Sequence, residues 1–203
     1  VFGSLATGRV FGIPLPHLLP AAAAATPVTY TASDVHEYYD GSSFSAQGLG
    51  IRGLHPDPVD ACRMYGAVSA YPPKKQSDCV GGSACITNAV ATINLCFNTL
   101  IALDDLTSQS VASGSMAHSV AVIDEVLYVT DTAGGQIWKV EEQGEDTLVS
   151  VLAGSISSPT AIDVYGQHTL LISSKGGGFG DASPLYTYDT SSPSAVLQQV
   201  SET

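Results

Sequence analysis

The chain has 203 residues and a formal net charge of −12, with 7 Lys and Arg against 19 Asp and Glu. Such acidity repels phosphate backbones and anionic lipid surfaces, so nucleic-acid binding and adhesion to acidic membranes are set aside on electrostatic grounds. Apolar residues reach 44%, enough for one domain with a sizeable core and too many for a disordered chain. No run of about 20 apolar residues is present to form a spanning helix.

Charged residues make up only 13%, about half of ordinary usage. Four cysteines, Cys62, Cys79, Cys85 and Cys96, fall close together and form no C-x-x-C. An even count without a zinc or redox spacing points to two disulfides and an oxidising compartment. Three pairings are open, and Cys62–Cys79 with Cys85–Cys96 is the one favoured. The competing reading is buried thiols in a cytosolic chain. The richness in Ser, Thr, Gly and Ala with few Lys favours an extracellular or cell-surface protein. The chain begins at Val1 rather than Met, which suggests excision from something longer. No N-x-[ST] acceptor occurs, so N-linked sugar is not expected.

Residues 1–33 read as an extended N-terminal arm. Pro14, Pro16, Pro20 and Pro27 exclude a long helix and a central strand. Val10, Phe11, Ile13, Leu15, Leu18 and Leu19 are too apolar to stay in water, so the arm must dock. It can dock on its own domain, or on a neighbouring copy as an added strand.

Residues 34–83 form a divergent, cysteine-containing region of strand and loop. His36-Glu37-Tyr38-Tyr39-Asp40 comes near H-E-x-x-H but has Asp40 in place of the second His. The flanking tyrosines and Gly41 favour a strand end over a metal-binding helix. Ser42–Arg52 suggests one short strand, and His55-Pro56-Asp57-Pro58 a rigid turn. Val59, Cys62, Met64 and Ala67 have loose helical spacing, which predicts a short helix within Val59–Ala70.

From Ala84 to the end a repeated β pattern takes over. Thr87–Ala91, Asn94–Phe97 and Leu100–Asp104 are followed by Ser119–Val122, Leu127–Val129 and Ile137–Val140, then by Thr160–Asp163, Leu170–Ile172 and Leu185–Tyr188. A further strand follows each set, at Ser110–Gly114, Val149–Gly154 and Ala195–Gln198. Four strands per unit at a period of about 40 is the spacing of a propeller blade. The expected fold is therefore all-β, with β-propeller-like four-stranded repeats over 84–203 in a small, incomplete or irregular ring. A β-sandwich is the alternative. Trp138 and Tyr128 are expected to pack between neighbouring sheets.

The segment Leu127-Tyr128-Val129-Thr130-Asp131-Thr132-Ala133-Gly134-Gly135-Gln136-Ile137-Trp138-Lys139-Val140 resembles the repeat sentence of NHL-repeat and gluconolactonase-type propellers. Ser158-Pro159-Thr160-Ala161-Ile162-Asp163-Val164 is similar to the segment that opens each of their blades. The resemblance covers residues 84–200 or so. It implies a propeller that can host a hydrolase or lactonase, an adhesion module or a scaffold. For the lactonase it implies a divalent metal held by Glu, Asn and Asp at inner blade ends. The matching positions here are Asn88, His118 and Ser158, and only Asn88 has a fitting type, so Asn88 is the single metal candidate.

Other chemistry finds little support. There is no G-x-S-x-G elbow, and Ser115 with His118 in one loop makes no triad. Gly176–Asp181 lacks the Lys-Ser/Thr of a phosphate cradle and reads as a hairpin tip. Asp104-Asp105, Glu141-Glu142 and Glu145-Asp146 read as solvated turn charges. Calcium at one of them is the sharper alternative, but no D-x-[DN]-x-[DN]-G loop accompanies them. No catalytic residue and no cofactor are assigned. Three visible units are few for a closed ring, and an unclosed ring leaves edges that pair with other chains. The expectation is an extracellular structural or adhesive protein that meets copies of itself or a surface partner through sheet edges and its arm, as in a filament. A metal-dependent hydrolase of the gluconolactonase kind and a carbohydrate- or protein-binding module are the rivals.

Overall fold

The structure, a computed structural model, describes residues 2–3, 7–12, 31–70, 86–106, 115–143, 146–175 and 183–200. All statements below concern these residues. They form a three-stranded sheet, β1 (Phe2–Gly3), β2 (Val10–Gly12) and β3 (His36–Tyr39), followed by a short helix α1 (Ser42–Ala46). Three four-stranded antiparallel sheets come next, each a simple meander. The first holds β4 (Leu49–Pro56), β5 (Arg63–Ala70), β6 (Asn88–Asn94) and β7 (Thr99–Asp105). The second holds β8 (Ala117–Ile123), β9 (Val126–Asp131), β10 (Gln136–Gln143) and β11 (Asp146–Ala153). The third holds β12 (Pro159–Tyr165), β13 (Thr169–Ser174), β14 (Leu185–Asp189) and β15 (Gln198–Gln199).

The sheets stack face to face, and the period of 2 along each strand sorts side chains between successive cores. On β5 and β6, Val68, Ala70, Ala89, Ala91 and Ile93 face one way, onto Val10, Tyr39, Phe44, Leu49 and Ile51. Tyr65, Ala67 and Val90 face the other way, onto Val120, Val122, Leu127, Val129, Trp138 and Val140 of the second sheet. That sheet turns Ala121, Ile123, Tyr128 and Ile137 to its far side, against Ile162, Leu170 and Ile172 of the third. Trp138 and Tyr128 therefore do pack between sheets, on opposite faces of the second one. A strand covered on both faces has no polar alternation, which is why every residue from Met64 to Ala70 is buried.

The first strands β4, β8 and β12 lie side by side with β8 in the middle. The approach of β4 to β8 is close enough to require glycine at Gly53. A Cβ there would stand 2.6 Å from the His118 carbonyl oxygen and 2.9 Å from the Ser119 Cα. No hydrophobic cluster joins the third four-stranded sheet to the three-stranded one, so the blades form an arc and not a closed ring.

Several sequence expectations are corrected in detail. The first four-stranded sheet starts at Leu49, on the far side of residue 84, because residues 71–87 intervene between β5 and β6 and hide the period. Asn94–Phe97 is not a strand beyond Asn94. The Asn94 Oδ1 accepts the N–H groups of Cys96, at 3.0 Å, and Phe97, at 3.1 Å, and turns the chain into β7. No helix forms over Val59–Ala70. Asp57 Oδ1 accepts the amides of Val59 and Asp60, and Asp60 Oδ1 that of Cys62, which fixes a turn and launches β5. Ser42–Ala46 is helical, with the expected strand delayed to β4. His36–Tyr39 is a strand, as its tyrosines suggested, so no helix presents His36 and Asp40 on one face. Ser110–Gly114 and Gly176–Asp181 lie outside the described residues.

Candidate functional site

The favoured disulfide pairing is overturned. Cys62 is bonded to Cys96, with 5.3 Å between the Cα atoms. Cys62 closes the turn before β5 and Cys96 sits in the turn between β6 and β7, so the ladder β5–β6 sets them side by side. The Leu95 amide donating to the Cys62 carbonyl at 2.7 Å holds the same two turns together. Cys79 and Cys85 lie outside the described residues.

Asn88, the metal candidate, is fully buried at the start of β6. Its Nδ2 donates to the Ser115 carbonyl at 3.2 Å and to Thr87 Oγ1 at 3.3 Å. Its Oδ1 accepts the Ala117 amide at 2.8 Å. Both ends of the amide are thus engaged in joining the first sheet to the entry of β8. His118 and Ser158 do not gather around it. The His118 Nδ1–H donates to the Thr160 carbonyl at 2.7 Å, tying β8 to β12. Ser158 precedes β12 with φ +46 and accepts the Lys175 amide through its carbonyl at 3.0 Å. No group of three His, Cys, Asp or Glu is placed to hold a metal among the described residues.

Polar side chains at the inner strands serve the same joining purpose. The Thr132 hydroxyl donates to the Pro159 carbonyl at 2.6 Å, and the Ile162 amide to Ser119 Oγ at 3.4 Å. Burial pushes the imidazoles of His118 and His55 below their ordinary value. For His118 the Thr160 carbonyl opposes the shift and the Arg52 charge adds to it; for His55 the Asp163 and Asp57 charges oppose it. Asp131, at the end of β9, is wholly buried, and its Oδ1 accepts the amides of Met116 and Gly134, both at 2.8 Å.

What the arrangement exposes is more distinctive than what it buries. β7 and β11 are the outer strands of their sheets, and each has one edge unpaired with any described strand. Ile101 on β7 and Leu148 and Val151 on β11 are about half exposed, and Phe97 at the turn before β7 is 76% exposed. The Thr147 hydroxyl donates to Asp104 Oδ1 at 2.9 Å and ties one edge to the other. The third sheet is covered on one face only. Along β13 buried and half-exposed residues alternate without a break. Ala161, Asp163 and Tyr165 of β12 are exposed, and Leu171 and Leu185 half-buried. Of the arm residues, Val10 and Phe11 lie in β2, with Val10 fully buried on the chain's own core. Ile13, Leu15, Leu18 and Leu19 lie outside the described residues.

These meanders around adjacent inner strands define a β-propeller-like fold whose described blades do not close. No protein-family model matches the chain, and no curated protein does. Solved structures of similar fold include the following two. A nidogen/laminin complex matches at 15% identity with a TM-score of 0.61, over 97% of this chain and 60% of that one. A luciferin-regenerating enzyme matches at 9% identity with a TM-score of 0.55, over 82% of this chain and 50% of that one. The chain thus spans 50% to 60% of the length of the structures it resembles. Identities this low carry the fold and no activity.

Proposed function

We propose that this chain is an extracellular structural or adhesive protein that meets copies of itself through its open sheet face and edge strands, as a subunit of a larger assembly. The observation that carries this is the contrast between β5, buried along both faces, and β13, where burial alternates strictly. A propeller sheet is built to be sandwiched, and among the described residues the third sheet has a neighbour on one side alone. The edges add to the case. β7 and β11 carry exposed Ile101, Leu148 and Val151 and lack the Lys or Pro that blunts an edge. Ile13, Leu15, Leu18 and Leu19 of the arm are candidate strand donors in the same scheme. The Cys62–Cys96 bond supports an oxidising compartment. The likeness to a structure of nidogen with laminin supports a role in protein–protein contact.

The test is sedimentation velocity of the full chain over a wide concentration range, beside Leu171→Lys on the open face and Val151→Lys on the edge. The expected result is concentration-dependent assembly for the parent and loss of it in at least one variant, with unchanged circular dichroism. A parent chain that stays monomeric throughout, or variants that assemble as it does, would overturn the proposal.

A further inference from the structure

A cleft of about 1080 Å³ opens between the first and second four-stranded sheets. Its floor is apolar, formed by Val122, Leu127 and Val140, which are all but buried in the core between those sheets. One wall is the turn before β5, where Pro58 is exposed and Val59 is 94% exposed. Seven carboxylates line the rest, against Arg63 as the single cation. One positive and seven negative groups leave −6, half of the chain's −12. Arg63 lies 3.5 Å from Asp57 and 3.7 Å from Asp60, so its charge is already engaged. Lys139 takes Glu141 at 2.8 Å, and His168 lies 3.3 Å from Asp124. Glu125, Glu142 and Asp104 have no cationic partner among the described residues, and Asp104 accepts only the Thr147 hydroxyl.

Carboxylates gathered over a low-dielectric floor focus their field into the groove between them. We propose that this cleft binds a cationic segment of a partner protein, one that carries Lys or Arg on either side of an apolar residue. The cations meet Glu125, Glu142 and Asp104, and the apolar residue meets Val59 and the floor. A second copy of this chain is a poor occupant, because no two of its 7 Lys and Arg stand on either side of an apolar residue. A bare metal ion is a poor occupant too, since no ligating trio is formed here. The cleft shares Asp104 with the β7 edge, but Leu171 and Val151, where self-association is tested, lie outside its lining, so either reading can fail without the other.

The test uses the full chain and a fluorescein-labelled peptide of alternating Arg and Leu, followed by anisotropy, with an alternating Glu and Leu peptide as control. Two triple variants are compared with the parent. One removes three charges inside the cleft, Asp104→Asn with Glu125→Gln and Glu142→Gln. The other removes three outside it, Glu37→Gln with Asp40→Asn and Asp163→Asn. All six are surface groups, and circular dichroism checks that each variant keeps the fold. The expected result is binding of the basic peptide alone, weakened about tenfold by the cleft triple and less than about twofold by the other. Equal weakening by both triples would assign binding to the overall charge and overturn the proposal. So would no binding by the parent, or displacement of the peptide by spermine at matched charge, which would indicate a site for small cations.

Discussion

Trp138 shows how much one side chain can do in this fold. Its indole is wholly buried between the first two four-stranded sheets, and its Nε1–H has no acceptor among the described residues. Cutting it to Ala removes the largest side chain of that core and should cost about 3–5 kcal/mol. Trp138→Phe keeps most of the ring while deleting the unsatisfied donor, whose burial is itself a penalty. The Phe variant should therefore lie far closer to the parent than the Ala variant in urea unfolding. The histidines make a second residue-scale case. Burial lowers the His118 and His55 pKa in the folded chain, so between the folded values and the unfolded one, about 6.5, only the unfolded chain takes up protons. Stability should thus fall as pH drops through about 6.5, and level off below the folded values. His118→Gln combined with His55→Gln should flatten that slope, which denaturant midpoints measured across the range will show.

Among the elements, the β9–β10 turn is the one whose sequence spelled out its structure best. Asp131 accepts two amides, and Gly135 has φ +67, a left-handed angle that glycine takes freely in a tight hairpin. Gly134 packs directly on the Asp131 carboxylate, so a Cβ there would run into Oδ2. Gly134→Ala should destabilise the chain in the presence of Asp131 and much less in an Asp131→Ala background. A double-mutant cycle should return a coupling of about 1–3 kcal/mol. Alternation and turn residues were legible in this way wherever local chemistry decided the outcome, hence the correct reading of β8 to β10 and of β12 to β14. They misled where the contact was distant. Val59–Ala70 has helical spacing, yet β4 and β6 pair with the edges of its strand and β8 packs on one face, and no local window contains these. Asp104, Glu141 and Glu142 looked like separate turn charges. Only the packing of two sheets sets them on one cleft, from strand positions on β7 and β10. The disulfide is of the same kind, since the β5–β6 register, not proximity in sequence, brings Cys62 to Cys96. It closes a separation of 34 residues, which in the chain-entropy account is worth about 3–4 kcal/mol. Cys62→Ala should lower the unfolding midpoint accordingly, and peptide mapping without reduction should recover the 62–96 link.

At the scale of the whole molecule, stability is distributed along the arc. The hydrophobic packing of each sheet is confined to its neighbours, as the three successive clusters record, so protection adds up sheet by sheet much as in a repeat protein. Among the described residues, the first and second four-stranded sheets are covered on both faces, and the third on one. Local opening should therefore be cheapest at the third sheet, where β13 and β14 can separate without uncovering two cores. Hydrogen exchange on dilute protein should find amides of β5, β6 and β9 slowest, and those of β13 and β14 markedly faster. Raising the protein concentration then separates two views of the open face. If another copy covers it, exchange in β13 and β14 should slow with concentration while β5 and β6 stay as they were, because binding stabilises only what it touches. If β13 and β14 are already as protected as β5 in dilute solution, the third sheet stands without a neighbour, and its exposed face is a finished surface instead of one awaiting a partner.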